Sequence, residues 1–197
     1  MNNKKINIIG GGDNSKVLID TINLSYNNYK INGIYDDSLL IKEYENIKLL
    51  GSILDIENKY EENVFYICSI SNISMRNKIF KKLNNLNWIS IIHKSCIISP
   101  TVKIGKGVFI NVNCVINSNA IIEDFCILNT NTIIEHDVII NKNCIISPRV
   151  TICGNVIVKK NTFIGCGVII INKNKYGNIV IGENNFITAG SLLLHST

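Results

Sequence analysis

The chain has 197 residues, 46% of them hydrophobic, with 20 Lys and Arg against 15 Asp and Glu. That length holds one large or two modest domains, and the apolar content is too high for a disordered chain. The net charge of +5 is scattered without aromatic interleaving, which argues against a nucleic-acid partner. No apolar run is long enough to span a bilayer, and Ile6–Ile9 is too short for a signal-peptide core. The chain therefore reads as cytoplasmic, with no membrane partner. Its many Asn, Ile and Lys residues read as the imprint of AT-rich coding. The seven cysteines form no CxxC pair and read as free thiols, mostly buried.

Residues 5–9 predict a strand. Gly10-Gly11-Gly12-Asp13-Asn14-Ser15-Lys16 follows, and then an apolar-periodic run through Val17, Leu18, Ile19 and Ile22. This is a strand, a glycine turn and a helix, the arrangement that lets backbone amides and a helix N-terminus face an anion. Ser15 stands in the third glycine place of GxGxxG, so the turn by itself is equally a tight βα connection that binds nothing. Ile31–Tyr35 predicts a second strand closed by Asp36-Asp37, either a ribose acceptor or a solvated turn. Val64–Cys68 predicts a third strand, Ile73–Leu83 a helix carrying Arg76, and Trp88–Ile92 a strand. Residues 1–91 are thus expected to form a small α/β, Rossmann-like domain, shorter than a full dinucleotide fold and suited to a mononucleotide ligand.

From Ile92 a different period takes over. Every sixth residue from Ile92 to Ile170 is aliphatic, fourteen in succession. Four places after each of the first thirteen stands a small or β-branched residue, among them Cys96, Cys114, Ala120, Cys126, Thr132, Val138 and Cys144. Neither a helix nor a lone strand has a period of six. The pattern is the hexapeptide signature of a parallel β-helix, and residues 92–197 are expected to form one, left-handed. With three hexads per coil, residues 18 apart stack about 4.8 Å apart. One turn column then reads Lys106, Asp124, Lys142, Lys160. A second reads Lys94, Val112, Thr130, Pro148, Cys166. The third reads Pro100, Ser118, His136, Gly154, Asn172. The register breaks once, after Ile170, and resumes at Ile181. The polar insertion 172–178 leaves from the His136 column, where a surface loop is placed to flank a cleft.

Of the three histidines, His93 begins the first hexad turn, where a hydrogen bond at the domain junction is expected, and His195 is assigned no role. His136 stands between carboxylates in Glu135-His136-Asp137. A carboxylate that fixes one ring nitrogen as N–H leaves the other free as a base.

These residues resemble the hexapeptide-repeat sugar acyltransferases, the PglD/NeuD-type nucleotide-amino-sugar N-acetyltransferases and sialic acid O-acetyltransferases. Asn129-Thr130 with Ile134-Glu135-His136-Asp137 is similar to that family's Asn-Thr…Glu-His-(Asp/Glu) motif. Ile92-His93-Lys94-Ser95 with Ser99-Pro100 resembles the start of its β-helix, Gly10–Lys16 its glycine loop, and Tyr35-Asp36-Asp37 its acidic turn. The resemblance implies an acetyltransferase with His136 as general base, oriented by Asp137 or Glu135, and Asn129 and Thr130 lining the acceptor site. It implies that Gly10, Gly11, Gly12, Asp36 and Asp37 hold a nucleotide sugar of UDP-4-amino type. Acetyl-CoA as acyl donor would run past Gly154, Gly165 and Cys166, without a metal. A homotrimer with sites between adjacent β-helices is also implied.

The chain departs from the family pattern at Asp13 and Asn14, where glycine and histidine are usual, at Ile145 for histidine, and at Arg149 for glycine. The family's C-terminal Gly-Xaa-Pro-Ala segment is missing up to Thr197, which leaves open a truncation or another donor arrangement. O-acetylation of a sialic acid, or nucleotide-sugar binding without turnover, are the alternatives. Metal-dependent hydration on this fold needs three convergent histidines, and an ice-binding face needs a regular threonine ladder. The sequence carries neither.

Overall fold

The computed structural model describes residues 4–38, 47–58, 61–172 and 177–197. The chain divides into two compact units, Met1–Ile91 and Ile92–Thr197.

In the first unit four parallel strands form one sheet. β1 (Lys4–Ile9) pairs with β2 (Tyr29–Tyr35) on one side. β2 continues to the short β3 (Leu49–Gly51), and β4 (Val64–Cys68) pairs with the other side of β1. Ile6, Ile8 and Ile9 are fully buried, as a central strand covered on both faces requires. The glycine turn opens α1 (Asp13–Ser25), whose Ser15, Leu18, Ile19 and Ile22 form one buried stripe at helical spacing. Asn72 caps α2 (Ile73–Lys82) by accepting the Met75 N–H at 2.9 Å. β3 and a 3-10 turn at Ile53–Asn58 had no signal in the sequence, being too short to carry a period. The strand order reverses at β1, between β2 and β4. In open parallel sheets such a switch point leaves a crevice beyond the strands' carboxyl ends.

The second unit is a left-handed parallel β-helix. Two-residue strands stack in three parallel sheets at an 18-residue register, as in Ile121↔Ile139, Ile127↔Ile145 and Ile133↔Thr151. The large column from Ile110 to Ile170 and the small column from Val108 to Val168 are buried and form the core. Cysteine fits the small column because its thiol also donates inward: Cys126 Sγ to Asn141 O at 3.1 Å, Cys144 Sγ to Lys159 O at 3.1 Å. All seven cysteines are free, and Cys166 is exposed.

The composition has a structural cause. Between Ile104 and Ile164 the residue three places after each large one lies in the left-handed region; φ is between 57° and 62° at Asn113, Asn119, Asn131, Asn143, Asn155 and Asn161, as it is at Asn184. Asparagine tolerates that conformation better than other side-chain-bearing residues. The Asn and Ile abundance thus follows the turn and core columns of the repeat. Asn131 is exposed, and Asn131→Ala is expected to cost about 1–2 kcal/mol, with Asn131→Gly costing clearly less. Urea denaturation midpoints of the two variants check this. Equal midpoints would remove the left-handed turn as the reason for the column.

The register break adds five residues. Ile157 pairs with Val180, where Ile139 pairs with Ile157 in the regular repeat. Asn172 follows the strand Ile169–Ile170, in the same sheet as Ile133–Ile134, so the chain leaves at the corner that carries His136. Residues 173–176 of the expected flanking loop lie outside the described residues.

Candidate active site

His136 and Asp137 are the two central residues of one β-helix corner. Asp137 takes the left-handed place, φ 59°, and its N–H donates to Ser118 O one coil earlier at 3.0 Å. This backbone conformation turns the Asp137 side chain beside the imidazole, with His136 Nδ1 and Asp137 Oδ2 2.8 Å apart. A carboxylate only accepts, so Nδ1 carries a proton, and in the neutral imidazole Nε2 is the nitrogen with the lone pair. The His136 hydrogen bond, and secondly that from Asn119, hold the Asp137 carboxyl below the usual carboxylate range. The depressed value leaves the pair intact at neutral pH. It is lost only as pH falls through that lowered value.

The imidazole lies against Gly154 of the next coil. A Cβ placed there would come within 2.6 Å of Cε1 and 2.7 Å of Nε2. The ring is about half exposed, at 55%. It is a fixed imidazole with a free Nε2 on an open corner, able to take a proton from an approaching amine or hydroxyl.

Of the two flanking carboxylates only Asp137 bonds the imidazole. Glu135 Oε2 accepts instead from Asn117 Nδ2 at 3.0 Å. Asn129 and Thr130 lie on the preceding corner. Asn129 Nδ2 donates to Ile146 O at 3.1 Å, and Thr130 O accepts the Arg149 N–H. One chain therefore does not bring Asn129 and His136 together. Gly154 shares the His136 corner, while Gly165 and Cys166 share that of Thr130. Gly165 has a packing reason of its own, since a Cβ would reach 2.5 Å from the Ala189 backbone nitrogen. His93 serves its own turn: Ser95 N–H donates to its Nδ1 at 3.1 Å, and Ser95 Oγ lies 2.8 Å from the same nitrogen.

The predicted glycine and acidic residues do converge. At the switch point of the first unit a cleft of about 320 Å³ lies among Gly10, Gly12, Asp36, Asp37, Ser69 and Asn72. Gly10, φ 98°, packs so tightly that a Cβ would sit 2.5 Å from Ile70 Cγ1. Asp36 accepts the Gly11 N–H at 2.8 Å and the Ser38 N–H at 2.8 Å, which ties the acidic turn to the glycine loop. Asp37 accepts the Ile53 N–H. Ser69 Oγ donates to Gly10 O at 2.7 Å and fixes the loop from the β4 side. The N-terminal residues of α1 and the Asn72 cap of α2 both border the cleft, which suits a phosphate-bearing ligand. Ser69 was missed by sequence reasoning because nothing local marks it. It lies 59 residues from the carbonyl it holds. Among the described residues no group of three or more His, Cys, Asp or Glu converges on a point, and no helix is long and apolar enough to cross a membrane.

Residues 5–83 match the family model of the PglD N-terminal domain. The uncharacterized protein L142 of Acanthamoeba polyphaga mimivirus is 34% identical over 109 residues, which is 55% of this chain. The match spans only 21% of that protein's length. Among solved structures, the acetyltransferase domain of PglB from Neisseria gonorrhoeae FA1090 is 22% identical with a TM-score of 0.90, over 98% of this chain and 93% of that one. The same domain is known in complex with acetyl coenzyme A. PerB from Caulobacter crescentus, in complex with CoA and GDP-perosamine, is 24% identical with a TM-score of 0.86, over 98% of this chain and 89% of that one. At these identities the solved structures establish a shared fold along nearly the whole chain. The first unit thus matches the PglD N-terminal domain, and the chain as a whole shares the fold of these solved structures.

Proposed function

We propose that the protein is an acyl-CoA-dependent sugar N-acetyltransferase, which moves the acetyl group of acetyl-CoA to the amine of a nucleotide-linked amino sugar, of UDP-4-amino type. The observation that carries this reading is the imidazole of His136, fixed at Nδ1 by Asp137 and open at Nε2. The shared fold with PglB and with PerB, known with CoA and GDP-perosamine, supports the substrate class.

The sugar amine attacks the thioester carbonyl carbon, and its proton passes to His136 Nε2. The tetrahedral adduct then collapses, the carbon–sulfur bond breaks, and the imidazolium returns the proton to the departing CoA sulfur. Asp137 stabilises the imidazolium between the two transfers. Asp36 and the Gly10–Gly12 loop hold the nucleotide, with phosphates towards the helix N-termini and Asp36 or Asp37 towards ribose or base. Asn129 and Thr130 line the acceptor site from a neighbouring copy, and Gly154, Gly165 and Cys166 line the path of CoA. Both substrates are cytoplasmic metabolites, which fits a cytoplasmic enzyme.

A homotrimer is supported by the outward column of one β-helix face, Ile97, Val115, Ile133, Thr151, Ile169 and Leu192. It carries no charge, and Ile97, Ile133, Ile169 and Leu192 are exposed in the single chain. The double variant Ile133→Lys/Ile169→Lys is expected to sediment as a monomer where the parent sediments as a trimer. A parent that is already monomeric at micromolar concentration would end this part of the proposal.

The test of the activity is release of free CoA from acetyl-CoA with a UDP-4-amino sugar, a GDP-linked amino sugar and a sialic acid in parallel. Release with the sialic acid alone makes the protein an O-acetyltransferase. Binding of a nucleotide sugar with no release from any acceptor makes it a non-catalytic homologue.

A further inference from the structure

Beyond the histidine and its aspartate, we infer that Asn119 is a positioning residue of the same site, one that fixes the Asp137 carboxylate and through it the tautomer of His136. This deepens the acetyltransferase reading and rests on it for the consequence on turnover. The consequence for the imidazole does not depend on any substrate.

Asn119 stands one coil before Asp137 in the column of left-handed residues, φ 61° against 59°. Equivalent places in successive coils project their side chains in parallel, about 4.8 Å apart. On another corner the column forms an amide ladder: Asn143 Nδ2 donates to Asn161 Oδ1 at 2.9 Å, and Asn161 Nδ2 to Asn184 Oδ1 at 3.2 Å. On the His136 corner the same contact is Asn119 Nδ2 to Asp137 Oδ1 at 3.2 Å. Asp137 is the only acidic side chain among the left-handed residues described. An asparagine in its place would direct one donor onward along the ladder. A carboxylate accepts at both oxygens, so Oδ1 is taken by Asn119 and Oδ2 is left for the imidazole.

The contact matters because Asp137 is half exposed, at 46%. The terminal torsion of an aspartate is broad, and one hydrogen bond from a half-exposed imidazole does not fix it. Asn119 supplies the second anchor, and is itself anchored: its N–H donates to Thr101 Oγ1 at 2.9 Å. The chain of contacts runs Thr101, Asn119, Asp137, His136, across three coils. Asn119 also favours the ionised form of Asp137, which keeps a pure acceptor opposite Nδ1.

The experiment is ¹⁵N-histidine NMR of the parent, Asn119→Gly and Asn161→Gly, with kinetics in parallel. Glycine keeps the left-handed turn, so the fold is retained, and the chain's three histidines make assignment simple with a His136→Ala reference. In the parent, His136 should show the Nδ1–H tautomer. In Asn119→Gly it should shift towards the tautomer mixture of free histidine, and in Asn161→Gly it should stay as in the parent. On turnover, Asn119→Gly should lose about 10- to 100-fold in kcat with KM nearly unchanged, part of the 10²–10⁴ that base assistance supplies. Asn119→Asp sets two carboxylates against each other, and should recover activity only towards acidic pH, where one proton shared by the pair restores a donor to Asp137. An unchanged His136 spectrum in Asn119→Gly overturns the inference whether or not the protein turns over any sugar. Absent turnover with a shifted spectrum overturns the acetyltransferase reading and leaves the positioning role standing.

Discussion

His136→Ala should reduce kcat by about 10²–10⁴ while leaving nucleotide-sugar affinity within a few-fold of the parent. The size follows from what is removed. In the proposed reaction Nε2 takes the amine proton, and neither flanking carboxylate is placed to replace it. The Asp137 carboxyl is held below the usual carboxylate range, and Glu135 is tied to Asn117. The folded state should be indifferent, because the ring is about half exposed and its hydrogen bond to Asp137 lies at the surface. The cleft that would hold the nucleotide is built from residues 10, 12–14, 36–38, 69–72 and 75 and draws nothing from residue 136. Steady-state kinetics with saturating acetyl-CoA, together with calorimetric titration of the nucleotide sugar, separate the two effects. A kcat within threefold of the parent would move the base elsewhere. Lost binding with intact folding would mean that His136 holds substrate and does not take its proton.

How much of this was legible in the sequence depends on the range of the interaction concerned. The β-helix was open to reading because its core is a repeat: each hexad buries the same two places, so Ile134, Ile140 and Ile146 announce one another six residues apart. The corner of His136 was legible for the same reason, since columns 18 apart can be written down without coordinates. Which carboxylate holds the imidazole was not. Glu135 and Asp137 are both adjacent in sequence, and only the left-handed φ of Asp137 decides between them. Asn119 stands 18 residues before Asp137, one place beyond the turn column of Ser118 and His136, and nothing in its hydropathy marks it. The asparagines that line the left-handed column passed for coding bias because a preference for one backbone region leaves no mark in hydropathy. In the first unit β1, β4 and the two helices had local periods. The convergence of Gly11 with Asp36 and of Gly10 with Ser69 spans 25 and 59 residues, and is fixed only by the strand order β3-β2-β1-β4.

Gly154→Ala should reduce kcat by about 100-fold and cost less than about 1 kcal/mol of stability, an unusual separation for a buried-side glycine. The glycine is not in the left-handed region, so its backbone accepts alanine without strain. The added methyl would meet His136 at 2.6 Å from Cε1, 2.7 Å from Nε2 and 3.1 Å from Nδ1. These atoms belong to the tip of a half-exposed side chain, which can swing into solvent at little cost. The displacement required is on the order of 1 Å, enough to break the 2.8 Å bond to Asp137 and to misplace Nε2, and misplacements of that size cost about 10²-fold. Gly154 thus works as the floor on which the imidazole lies, and its smallness is what the corner needs. Thermal denaturation and kcat measured on the same preparation test both halves of the claim. The double variant Gly154→Ala/His136→Ala supplies the control. If the methyl acts through the ring, it should cost nothing further once the ring is gone, and the two losses will not add. Losses that multiply in full would show that Gly154 acts on the reaction by another route, the path of CoA being the first alternative to examine.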